Sequence, residues 1–216
     1  MNHSRILQRV LLLLVVTTLV FSTVTTQAKH VTILADLIDN GGAIVNGDKI
    51  FSDFNYSRTG EMPPATRVNV ERITHNGNFG LRFSGGFTDS PTNEGSDALI
   101  TYKVTAPDRL ISGAFLAANT VSGDGFISVT ESFEGATDSL LLSVHETQTA
   151  DSGDFEEPQM MMMVEKNILA FATGPIWPTM SFVDQTFSQI PEPTTLVLGF
   201  VGMIAMGLTS RRPRQA

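Results

Sequence analysis

The sequence predicts an all-β protein: a β-sandwich of jelly-roll type over residues 29–189. Three observations predict it. Short runs of alternating apolar and polar residues recur ten to twelve times, separated by Gly, Asn, Asp, Ser and Pro clusters. No long stretch sustains the 3.6-residue period of an amphipathic helix. The 216-residue chain has no cysteine, so a body of about 160 residues must be held together by its apolar core alone.

The elements follow in order. His30–Ile38, HVTILADLI, is the first β-like run. Ala43–Ser57 holds two runs around Asn46-Gly47-Asp48, and Asn-Gly favours a tight hairpin turn. In TRVNVERIT, Val68, Val70 and Arg72 alternate with Arg67, Asn69, Glu71 and Ile73. In FGLRFSGGF, Phe79, Leu81 and Phe83 share one face with Arg82 opposite. DALITYKVTA, LISGAFLAA, GFISVTESF, SLLLSVHET, MMMMVEKNILAFA and TMSFVDQTFSQ continue the series. The segment Glu165–Ala172 could be a short helix but reads better as strand. Residues 58–65 and 151–159 read as loops, because Pro63-Pro64 and the acidic run Asp151–Glu157 do not suit central strands. There is no internal repeat of fixed period.

Both ends differ from this body. Arg5 and Arg9 open a basic start, Val10–Phe21 is apolar apart from Thr17 and Thr18, and Thr26 and Ala28 make a small-x-small site. This is the pattern of a secretory signal peptide over 1–28, with cleavage expected between Ala28 and Lys29. The body from 29 to 189 carries 9 basic and 21 acidic residues, near −12, against −8 for the whole chain. An acidic body excludes nucleic acid, which needs clustered Lys and Arg. It also argues against resting on an anionic membrane surface.

The chain ends IPEPTTLVLGFVGMIAMGLTSRRPRQA. Thr194–Ser210 has no charge, and as a helix at about 1.5 Å per residue it would span about 25 Å of a hydrocarbon core about 30 Å thick. Pro191 and Pro193 stop such a helix from running back into the body. Arg211, Arg212 and Arg214 follow it, and clustered arginine beside a span stays cytoplasmic. With a cleaved signal peptide, the body lies outside the cytoplasm.

Pro191-Glu192-Pro193, the short Gly-containing apolar segment and the Arg cluster, in that order over 190–216, resemble the PEP-CTERM sorting signal of exported bacterial proteins. The resemblance implies processing by an exosortase, a membrane cysteine protease. It also implies a Gram-negative-type bacterium that makes extracellular polysaccharide. Two methionines in the apolar segment, Met203 and Met206, and Pro213 among the arginines depart from the pattern. The body, through LADLIDNGGAIVNGDKIFSDFNY, SDALITYKVTA and SFVDQTFSQIPEP, resembles a group of PEP-CTERM proteins of unassigned function. That resemblance implies a β-sandwich and no known activity.

Motifs for chemistry are sparse. No G-x-S-x-G elbow occurs, and His30, His75 and His145 are scattered, which suits structural roles. Glu131 with Glu134, and Asp36 with Asp39, are the carboxylate pairs a glycosidase could use, although such neighbours are expected in an acidic body. The single tryptophan, Trp177, lies in a turn-like GPIWPT, and with Tyr56 and Tyr102 it gives few aromatic faces for a sugar. DNGG at 39–42, SGDG at 122–125 and DSGD at 151–154 have residue types that calcium uses, without a matching loop motif, and read as turns. Calcium is the one ion left open; otherwise no metal site and no cofactor are expected. Met160–Met163 could suggest soft-metal ligation, but alternate strand residues face opposite sides, so core and edge packing is the better reading. These features favour a non-enzymatic, membrane-tethered surface or extracellular-matrix protein, structural or adhesive. The alternative is a carbohydrate-binding module, with a glycoside hydrolase ranked last.

Overall fold

The computed structural model of the chain describes residues 31–190, apart from 93 and 136–139. The expected signal peptide, its Ala28–Lys29 junction, His30, Pro191-Glu192-Pro193, the apolar segment and Arg211, Arg212 and Arg214 lie outside the described residues.

The described chain is two six-stranded antiparallel sheets. The first has the order β1 (Val31–Ile33), β4 (Asn69–His75), β5 (Asn78–Thr88), β12 (Thr179–Gln189), β7 (Ile111–Ala118), β10 (Ala150–Gln159). The second has the order β2 (Ile44–Asn46), β3 (Lys49–Arg58), β6 (Ser96–Thr105), β11 (Met161–Ala172), β8 (Gly125–Glu134), β9 (Leu141–Val144). Within them, β5 to β12 form the sets 5-12-7-10 and 6-11-8-9, the strand order of a jelly roll.

Alternation places the core. In β6, Ala98, Ile100, Tyr102 and Val104 are buried, and the residues between them are half-buried. They face Leu81, Phe83, Val183 and Phe187 of the first sheet, all fully buried, in one continuous core. Each such side chain contributes about 1.5–3 kcal/mol on burial. Tyr102 anchors the aromatic centre, with ring centroids 6.1 Å from Phe51, 5.7 Å from Phe54 and 5.6 Å from Phe83. In β5, Arg82 takes the opposite face and makes a bidentate pair with Asp184 at 2.6 and 2.7 Å. The hydrogen bonds to Asp184 raise the Arg82 pKa.

Two hairpins show the turn chemistry. Asn46 pairs with Lys49, leaving Gly47 (φ 60°) and Asp48 as the loop. His75 pairs with Asn78, and both loop residues, Asn76 (φ 50°) and Gly77 (φ 81°), are left-handed, which is why Asn-Gly serves there.

Two segments differ from the sequence expectation. The first run is a strand only over Val31–Ile33; Leu34–Asp39 is a helix, α1. Leu34 and Leu37 lie three apart, so a helical turn buries both against the sandwich, whereas a strand would send them to opposite faces. Residues 151–159, expected as a loop, form most of β10. Pro158 and the acidic residues are tolerated because β10 is the edge of its sheet and its register shifts between Asp154 and Gln159. Glu165–Ala172 is strand, as expected. Met162 is buried while Met160 and Met161 are exposed, so the methionines do not converge.

Candidate functional site

The loops at one end of the sandwich build an open cleft of about 440 Å³ around Trp177. Its walls come from the end of β3 (Arg58), the connection to β4 (Glu61, Pro63, Pro64, Arg67) and Gly85-Gly86 within β5. Trp177 is 48% exposed, so the indole has a free surface.

Each wall is fastened by hydrogen bonds. Arg58 Nη1 donates to the Met62 carbonyl at 2.7 Å. Tyr56 donates its hydroxyl to the Pro63 carbonyl at 2.6 Å, and burial pushes its pKa up to about 12. The Glu61 amide donates to Ser96 Oγ at 2.8 Å, and Ser96 donates to Asp89 Oδ1 at 2.6 Å. Asp89 also accepts the Ala172 amide at 2.9 Å. Asp89 and Ser96 are buried, so this relay fixes the 59–64 loop to the strands beneath it.

The tryptophan loop is held as firmly. Asp124 donates its amide to the Ile176 carbonyl at 2.6 Å and accepts the Ile176 amide at 3.1 Å. Thr88 Oγ1 donates to the Pro178 carbonyl at 2.7 Å. Gly123 adopts φ 102°, and a Cβ there would clash with the Trp177 carbonyl oxygen, so only glycine fits against the backbone of the tryptophan loop. The result is a preorganised aromatic surface flanked by two guanidinium groups and a carboxylate. Such a set can stack on a pyranose ring and hydrogen-bond its hydroxyls.

A second pocket, of about 290 Å³, opens on the outer face of the first sheet. His75 stacks on Phe115 there, with ring centroids 4.4 Å apart and planes 3° from parallel. Asp154, Ser152 and Ser188 line it, and Gly113 leaves them room: a Cβ would stand 2.6 Å from Asp154 Oδ1 and 2.8 Å from Ser188 Oγ. The stack already covers one face of Phe115, which makes this the poorer platform for a sugar.

The residues singled out in the sequence separate. Glu131 is buried between the sheets and Glu134 is exposed, because positions three apart on a strand face opposite sides. That overturns their pairing as a glycosidase acid and base. Asp36 and Asp39 are both exposed on α1, and neither lines the Trp177 cleft. Tyr102 is core, Tyr56 supports the cleft wall, and Trp177 is the free aromatic. His145 closes a small turn with Gln148. Of the calcium-like loops, Asp124 holds the tryptophan loop, and Asp151 accepts the Ser143 amide at 2.8 Å. Among the described residues, no three His, Cys, Asp or Glu side chains are grouped to hold a metal.

The sequence reading missed a polar cluster inside the sandwich. Lys166 from β11 and Glu131 from β8 are fully buried, with Nζ 2.7 Å from Oε1. Gln185 from β12 reaches them from the opposite sheet, its Oε1 3.3 Å from Lys166 Nζ. Burial lowers the Lys166 pKa and raises that of Glu131, and both shifts favour the neutral forms. The Tyr102 hydroxyl, buried without a hydrogen-bond partner, is also pushed well up by burial and by the Glu131 charge. The signal was present in the pattern: Val164-Lys166-Ile168 and Val129-Glu131-Phe133 each put one charge in an inward-facing apolar row.

No family model matches the chain, and no curated protein matches it. Among solved structures, the carbohydrate-binding module TmCBM61, in complex with β-1,4-galactotriose, aligns with 10% identity over 62% of this chain and 88% of its own, at TM-score 0.34. Tailspike protein 4 of bacteriophage CBA120, described as an enzymatically active domain, aligns with 15% identity over 64% of this chain and 19% of its own, at TM-score 0.27. A family 11 carbohydrate-binding module from Clostridium thermocellum, in complex with a β-1,3-1,4-mixed-linked tetrasaccharide, aligns with 5% identity over 65% of this chain and 91% of its own, at TM-score 0.23. At such scores no property passes from these proteins to this chain. Among the described residues, no helix is long and apolar enough to cross a membrane.

Proposed function

We propose that this chain is an exported bacterial surface or extracellular-matrix protein, structural or adhesive, whose sandwich body contacts extracellular polysaccharide through the Trp177 cleft. The anchored, half-exposed Trp177 between Arg58 and Arg67 carries the polysaccharide reading. The address rests on sequence: β12 ends at Gln189, just before Pro191-Glu192-Pro193, the uncharged segment and Arg211, Arg212 and Arg214. In this reading an exosortase acts on that tail, and the inner membrane holds it until sorting.

Polysaccharide co-sedimentation with the purified protein tests the body. Wild type should pellet with the native matrix polysaccharide, and Trp177→Ala should lose at least about tenfold in affinity, as expected for one stacked ring worth about 1.5 kcal/mol. Equal pelleting of the two forms would remove Trp177 from the reading. Reporter fusions after Ser188 and after Ala216 test the address. The first should be active outside the cytoplasm and the second inside.

A further inference from the structure

We propose that Lys166 and Gln185 join through an isopeptide bond that links the two sheets covalently, with Glu131 as its acid–base group. Three groups needed for amide exchange meet in the core. Lys166 supplies a primary amine, Gln185 a carboxamide, and Glu131 a carboxyl group in contact with both. Lys166 Nζ lies 2.7 Å from Glu131 Oε1 and 3.3 Å from Gln185 Oε1. The Gln185 amide lies against both Glu131 oxygens, and in its turned orientation its nitrogen donates to Oε1 at 2.8 Å.

The two amide orientations match two positions of one proton. With the proton on Lys166, the carboxylate accepts the amide N–H of Gln185. With the proton on Glu131, the acid donates to the Gln185 carbonyl and Lys166 is a free amine. Burial of all three groups favours the second, neutral arrangement. A desolvated neutral lysine is a competent nucleophile. Its target is polarised by a hydrogen-bonding acid in a medium that strengthens the effect.

The steps balance without a co-reactant. Lys166 Nζ attacks Cδ of Gln185 while Glu131 protonates the carbonyl oxygen. The Glu131 carboxylate then takes a proton from the new C–N nitrogen and passes it to Nε2. The Cδ–Nε2 bond breaks, ammonia leaves, and the hydroxyl proton returns to Glu131. Nothing is oxidised or reduced. The shell of Phe133, Phe187, Tyr102 and Val164 keeps bulk water from competing as nucleophile. The bond would tie β11 of one sheet, through Lys166, to β12 of the other, through Gln185.

The test is peptide mass spectrometry on the full chain, purified folded, held at growth temperature, then denatured and digested. The expected result is one branched species joining the Lys166 and Gln185 peptides, lighter than their sum by one ammonia and resistant to cleavage after Lys166. Glu131→Gln and Lys166→Arg should release the two peptides separately. Separate peptides of unmodified mass from folded wild type would overturn the proposal, and that measurement stands whether or not either variant folds. A linked pair that persists in Glu131→Gln would overturn the acid–base role of Glu131.

Discussion

Replacing Asp89 with alanine probes the relay that holds the Trp177 cleft. The carboxylate is buried and accepts two hydrogen bonds, from Ser96 Oγ at 2.6 Å and from the Ala172 amide at 2.9 Å. Removing it strands a buried hydroxyl and a backbone donor. Bonds to a charged group contribute about 1.5–3 kcal/mol each, so the combined loss is about 3–6 kcal/mol. For a domain of this size each kcal/mol moves the midpoint by about 2–4 °C, so Tm should fall by roughly 6–24 °C. Asp89→Asn keeps an acceptor and a similar shape, and its loss should be about half as large. Differential scanning calorimetry of wild type and both variants measures this. The Lys166, Glu131 and Gln185 cluster is unchanged throughout, so its covalent state cancels. Because Ser96 also receives the Glu61 amide, polysaccharide affinity should fall in Asp89→Ala below its melting range. A Tm shift under about 2 °C would show that the relay contributes little, and the argument from buried unpaired donors would fail here.

Three further outcomes are expected. The folded Tyr56 pKa is raised to about 12 from an ordinary value near 10, so its stabilising contribution is complete below pH 10 and is lost as pH rises through 12. Ultraviolet titration should show no phenolate near pH 10 from either tyrosine in folded protein, and Tyr56→Phe should flatten the alkaline loss of stability. Gly123→Ala forces a Cβ into the Trp177 carbonyl and should cost about 1–3 kcal/mol with weakened sugar binding; unchanged melting and binding would refute the fit. Replacing Arg211, Arg212 and Arg214 with serine should loosen membrane retention and reduce processing, whereas Glu192→Ala should affect processing only; fractionation with a blot for the shortened form reads both.

What the sequence made legible follows from periodicity. Inward and outward faces of β5 and β6 came out as expected, because Leu81/Phe83 and Ile100/Tyr102 sit on strict alternation. The helix α1 was hidden because six residues carry too few repeats to separate a period of two from one of three to four. β10 was hidden because its acidic residues and Pro158 describe an exposed edge as well as they describe a loop. The Trp177 cleft joins positions from 58 to 177, so sequence could flag the tryptophan but not its neighbours. Parity alone could have separated Glu131 from Glu134, and would have exposed Lys166 as a charge facing inward.

The sheet margins carry a consequence for life at high local density. An unpaired strand edge invites a neighbour's strand, and a surface crowded with identical chains supplies many neighbours. Here β1 and β2 have three residues each and β9 has four, too short to template a ribbon. Among the described strands the one long margin, β10, bears Asp151, Asp154, Glu156 and Glu157, lacks a donor at Pro158, and would repel its own image. A second copy brought alongside therefore finds no described edge that readily accepts its strand, and continuation of either sheet from copy to copy is disfavoured.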